Sequence, residues 1–162
     1  MARHTGSVAG DRPSLWTGAL AGYAASHAMD AVTGWFHGRQ SEASREREQE
    51  ITQGGMLVQL GRRLGRAAGR DLDDATADRV GTAVHRAFGV TYGVVAAALV
   101  RRGVHPLRAG LLVGAGAFLL VDEGTALPTM TAYPLVSHAR GVVGHATVGA
   151  GIGLLLWLTG RS

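Results

Sequence analysis

Apolar and polar residues alternate along this chain in long blocks rather than in short periods. Ser14 opens an apolar block that runs to residue 36. A serine there can cap a helix of about the 20 residues that cross a bilayer. Trp16 and Trp35 stand near its two ends, where interfacial aromatics anchor a span. Further apolar blocks cover 81–101, 107–126 and 139–159. The third is apolar only as far as Val121, and it reaches spanning length by continuing past Asp122 and Glu123. The blocks predict an all-α fold, a four-span transmembrane helix bundle forming a single membrane domain over 1–162.

The polar interval 37–80 predicts an amphipathic and charged helical segment between spans 1 and 2. Glu42, Glu46 and Glu50 recur every four residues around Arg45 and Arg47, the pattern of a solvated helix laced with weak side-chain ion pairs. Gly54-Gly55 breaks that helix. Met56, Leu57, Leu60 and Leu64 then oppose Arg62, Arg63, Arg66 and Arg70. Such a helix can lie on a membrane surface or pack on its own bundle. Asp73 or Asp74 can cap the next helix, Gly103 and Pro106 make the following turn, and Pro128 and Pro134 frame the linker to the last span.

Composition sharpens the picture at three points. Of the 25 glycines 15 fall inside the apolar blocks, where each would weaken a soluble helix but lets membrane helices approach closely. Each block carries one GxxxG spacing: Gly18/Gly22, Gly89/Gly93, Gly110/Gly114 and Gly149/Gly153. All 16 basic residues are arginine and the sequence pI is about 10.6, which suits a bilayer with anionic lipids. Acids interleave with the arginines and no aromatic-basic module is present, which argues against nucleic acid. With no cysteine, disulfides and thiolate metal sites are excluded.

Ionisable residues inside the spans supply the candidate chemistry, because an unpaired charge in hydrocarbon is costly. An up-down order brings together the second half of span 1 (His27, Asp30), the start of span 2 (His85, Arg86), the end of span 3 (Asp122, Glu123) and the start of span 4 (His138, Arg140, His145). The runs 94–100 and 152–158 at the other end hold no ionisable residue. This predicts a one-sided polar pocket with an apolar floor. His27 and Asp30 are expected to share a face at i, i+3, as are His138 and His145 at i, i+7. Imidazoles with carboxylates suit zinc or iron, with His27, His85, Glu123 and His145 as the ligand set, and they equally suit a proton relay. Four histidines on three helices also raise bis-His haem, although they crowd one leaflet. Arg86 or Arg140 is expected to neutralise Asp122 or Glu123, whereas His4, His37 and His105 read as solvated loop residues.

The functions compatible with this pattern are binding or moving a metal ion, a proton or a small solute. The rival is a structural or accessory subunit, in a homo-oligomer or a larger membrane complex, whose polar cluster only locks the helices. A membrane enzyme using a metal as Lewis acid ranks last, since no H-E-x-x-H motif is present.

The order His85, Gly89, Tyr92, then Gly110, Gly114 and Glu123, then Pro128 and Pro134, then Gly144-His145 resembles the YagU-like family of small bacterial inner-membrane proteins. The likeness covers roughly the second half of the chain, and 37–81 departs from it. It implies a multi-pass protein of the bacterial plasma membrane with a loose link to acid stress, and it supplies no catalytic residues.

Overall fold

The computed structural model describes residues 12–52, 54–122, 124 and 132–160, and all the regular structure among them is helical. Six α-helices follow in order: α1 Leu15–His37, α2 Glu42–Thr52, α3 Met56–Ala67, α4 Asp74–Arg101, α5 Pro106–Ala117 and α6 Leu135–Thr159. A π-helical turn, Phe118–Asp122, continues α5. Ser14 caps α1 by accepting the Thr17 N–H at 3.0 Å, and Asp73 caps α4 by accepting that of Thr76 at 2.8 Å. Both satisfy amides that a helix start leaves without intrahelical partners. Gly103, at φ +93°, supplies the left-handed residue that turns α4 into α5, with Pro106 at the first turn of α5.

Four helices form the bundle. α1 packs on α4 and α6, and α5 packs on α6 and α4. Close backbone approach sets both antiparallel pairs. A Cβ built on Gly18 would lie 2.5 Å from the Gly93 carbonyl oxygen, and one on Gly22 would overlap the carbonyl of Gly89. In the second pair, a Cβ on Gly110 would overlap the Gly149 carbonyl, one on Gly114 that of His145, and one on Gly153 would meet Leu107 Cα at 2.8 Å. All four GxxxG spacings therefore lie at helix–helix contacts, as small residues in membrane bundles do.

The core is correspondingly made of small residues. Ala21, Ala25, Ala96, Ala97 and Ala109 surround Val148, Ile152 and Leu156 of α6. Large aliphatic side chains point outward instead, with Leu20, Leu112, Leu119 and Leu120 all more than 60% exposed.

Two helices, α4 and α6, are long and apolar enough to cross a membrane. The 23-residue α1 is interrupted by His27 and Asp30, while α5 has 12 residues before the π turn. The third apolar block was expected to stay helical to 126. Its regular helix changes geometry at Phe118 and ends at Asp122; Gly124 lies in a turn, while Glu123 and Pro128 fall outside the described residues. The last helix begins earlier than its apolar block, at Leu135, so Ser137, His138 and Arg140 belong to its first turns.

The segment between α1 and α4 divides in two. At about 1.5 Å per residue the 28 residues of α4 extend about 42 Å, longer than the ~30 Å hydrocarbon layer. Its first two turns carry α3 on a second small-residue contact, where Gly61 meets the Ala77 backbone and Gly81 that of Leu57. Of the two placements open to the amphipathic α3, packing on its own bundle is therefore present. α2 is linked to α3 by Gly54 and Gly55, both at φ near +106°, which supplies the predicted break.

Candidate functional site

The small-residue row that seats α1 on α4 also positions the first acid. Gly18, Gly22, Ser26 and Asp30 follow at i+4 spacing, so Asp30 continues the face that meets α4. Its Oδ1 lies 2.9 Å from His85 Nε2, and its Oδ2 accepts from Arg86 Nη2. Arg86 Nη1 donates to the buried Ser26 Oγ at 2.9 Å. The row through Tyr23 and His27 lies beyond the edge of that face and is exposed. His27 is exposed and packs edge-on against Tyr23, 4.9 Å between ring centres, so it does not join Asp30 as expected.

A second pair sits deeper. The π turn brings Asp122 to α6, where its Oδ2 lies 3.1 Å from His145 Nε2. That approach is not aligned as a hydrogen bond, and neither ring nitrogen of the buried His145 has a hydrogen-bond partner among the described residues. The Phe118 ring, 5.8 Å away, forms part of its wall.

A third pair uses a carboxylate that the sequence reading left on a solvated helix. Glu48 is 6% exposed although α2 is otherwise polar. Gln40 Nε2 donates to its Oε1 at 2.8 Å, Ser137 Oγ donates to the same oxygen, and Arg140 Nη1 reaches Oε2 at 2.9 Å. His37 Nδ1 stands 3.6 Å from Oε2. Burial pushes the Glu48 carboxyl up, but hydrogen bonds from Ser137, Gln40 and Arg140, together with the guanidinium charge, outweigh it and hold the pKa below its ordinary value. Burial raises the Tyr133 hydroxyl, and the Glu48 charge raises it further. That hydroxyl is itself buried without a partner among the described residues.

Three cavities lie side by side along these pairs, neighbouring ones sharing wall residues. The outermost, about 700 Å³, opens between α1, α2 and α6 and is lined by Asp30, His37, Glu48 and Arg140. It shares Thr33, Met56, Tyr133 and Arg140 with a chamber of about 340 Å³ whose walls are mainly Met29, Leu57, Leu60 and Phe88. That chamber shares His85, Phe88 and Asp122 with an inner space of about 60 Å³ closed by Tyr92, His145 and Val148. Beyond them lies the packed apolar end built on Ala96, Ala97, Ile152 and Leu156. Polar groups thus gather toward one end, above an apolar floor.

The predicted cluster is assembled in part. Asp30, His85, Arg86, Asp122 and His145 line or support the cavities; His27 does not, His138 lines none of the three, and Glu123 lies outside the described residues. Among the described residues Arg86 pairs with Asp30 and Arg140 with Glu48, rather than either with Asp122 as expected. Among the described residues no group of three or more histidines and acids could hold a metal ion. Of the predicted ligand set, His27 faces outward while His85 and His145 are each engaged with a separate carboxylate. Glu48, His37 and Tyr133 were not anticipated. One available signal was the i+4 row Gln40, Ser44, Glu48, Thr52, a face that carries no arginine. No protein-family model, curated protein or solved structure matches this chain.

Proposed function

We propose that this chain is a four-span membrane protein that admits a small solute or a proton from one face of the bilayer and holds it at the His145–Asp122 end of the cavity line. The observation that carries the reading is the string of three His–carboxylate pairs, His37–Glu48, His85–Asp30 and His145–Asp122, along a row of adjacent cavities that share wall residues. Histidine changes charge near neutral pH, and a carboxylate beside it can accept or return the proton. Membrane immersion is supported by the reversed distribution of side-chain size, leucines outside and alanines and glycines inside. Only 22% of the apolar stretch of α4 is buried within the molecule, low for a soluble core helix. In this reading α1 and α5 with its π turn cross beside α4 and α6, and the protein resides in a bacterial plasma membrane, in line with its YagU-like features.

One observation favours a second reading, a structural subunit. Both arginine–carboxylate pairs at the cavities tie two different helices, Asp30–Arg86 joining α1 to α4 and Glu48–Arg140 joining α2 to α6. Proton uptake by the purified full chain in detergent separates the two readings. Acid–base titration across neutral pH should show the native chain binding protons that Asp122→Asn and His145→Ala do not bind, while each variant shifts the thermal midpoint by less than about 4 °C. Equal uptake by native and variant chains, or variants that only melt earlier, would leave the cluster as a lock.

A further inference from the structure

Resting on that reading, we infer that the solute is a small amphipathic organic cation, its apolar body in the 340 Å³ chamber and its charge facing Asp122. The charge inventory of the cavities points to this class. Among the described residues Asp30, Glu48 and Asp122 are the carboxylates that line them, and two guanidiniums answer them. Asp30 is held by Arg86 and His85, and Glu48 by Arg140 with Gln40 and Ser137. Among the described residues Asp122 has His145 as its ion partner and no arginine. Among the described residues the lining carboxylates thus outnumber the guanidiniums that answer them by one, and the one left over, Asp122, stands at the inner end of the apolar chamber. A carboxylate so placed attracts a cation and repels an anion, the more so where water is scarce.

The walls fit the same class. Met29, Leu57 and Leu60 offer apolar surface, and Phe88 offers the negative face of an aromatic ring, a surface that recognises substituted ammonium groups. Phe88 stacks on Tyr92 with 6.0 Å between ring centres, which continues the aromatic wall into the inner space. Arg140 also borders the chamber, but its Nη1 is committed to both Glu48 oxygens and to Gln40, so its charge is met at the outer end. Among the described residues the buried Tyr133 hydroxyl at the outer end and the buried His145 ring at the inner lack hydrogen-bond partners. Buried polar atoms are rarely left so unless water or a ligand completes them. The chamber volume lies at the low end of the ~300–1,000 Å³ typical of small-molecule pockets, which excludes a large ligand.

The test is calorimetric binding to the purified full chain in detergent at neutral pH, using three aromatic probes of similar shape: benzyltrimethylammonium, benzyl alcohol and phenylacetate. The cation should bind at least about tenfold more tightly than either other probe, and Asp122→Asn should erase that preference. Leu60→Trp, which fills the chamber and leaves every charged group in place, should block the cation as well. It serves as the second variant should Asp122→Asn fail to fold. Equal or tighter binding of benzyl alcohol or phenylacetate, or full cation affinity in folded Asp122→Asn, overturns the cation assignment but leaves a solute cavity. If none of the probes binds, the solute-cavity reading itself falls.

Discussion

A glutamate in the run SEASREREQE has every reason to face water, and three of the four in α2 do. Glu48 does not, because Gln40, Ser137 and Arg140 together return the hydration it loses. Removing it leaves Arg140 largely buried without its counter-ion, so Glu48→Ala should cost about 3 kcal/mol in reversible unfolding. Asp30→Ala should cost less, about 1–2 kcal/mol, because that carboxylate is 42% exposed and water screens its ion pairs. The Glu48 pKa is lowered by folding, so its stabilisation is fully present above the ordinary value of 4.5 and is lost as pH falls through the lower folded value. Melting curves of the native chain and of Glu48→Gln should therefore converge as pH falls through that range; parallel curves would contradict the assignment. Asp30, His85 and Asp122 could be named from sequence, since an ionisable residue in an apolar block must meet a partner. Glu48 could not, because two of its three partners, Ser137 and Arg140, lie 89 and 92 residues along the chain and nothing local distinguishes it from Glu46 or Glu50 beyond its row.

At the scale of the elements, glycine decides which helices touch. Gly22 and Gly93 each face a carbonyl of the opposing helix, so Gly22→Val or Gly93→Val must push α1 from α4 and should cost about 3 kcal/mol or abolish folding. Gly34 and Gly116 are also helical, yet a Cβ at either meets nothing within 4 Å. Gly34→Ala and Gly116→Ala should leave stability unchanged or raise it by up to about 1 kcal/mol, read from the same thermal unfolding in detergent. An equal loss at all four positions would contradict the packing described. The GxxxG spacings announced this contact in the sequence, because close approach needs small residues at that interval. The π turn was not announced. An i→i+5 turn rewinds the helix locally without a characteristic residue, and it is what carries Asp122 around to His145. His27 misled for a related reason: i, i+3 neighbours lie about 60° apart, and the α1 face toward α4 ends between His27 and Asp30.

Across the whole molecule, the blocks of hydropathy foretold helices, their order and the gathering of polar groups at one end, since these follow from length and alternation alone. Which cavities lie side by side, and which of their carboxylates lacks an arginine among the described residues, depends on side-chain packing between helices and could not be read that way. The central claim is a membrane bundle whose cavity line opens to one side only. The chain contains no cysteine, so single cysteines can be placed without background. Thr33→Cys lines the outer cavities, Gly103→Cys marks the turn beyond the apolar floor, and Ala97→Cys lies within the packed end. A membrane-impermeant maleimide should label Thr33→Cys from one face of the membrane, Gly103→Cys from the other, and Ala97→Cys from neither. Labelling of Thr33→Cys and Gly103→Cys from the same face, or of Ala97→Cys from either, would contradict the account.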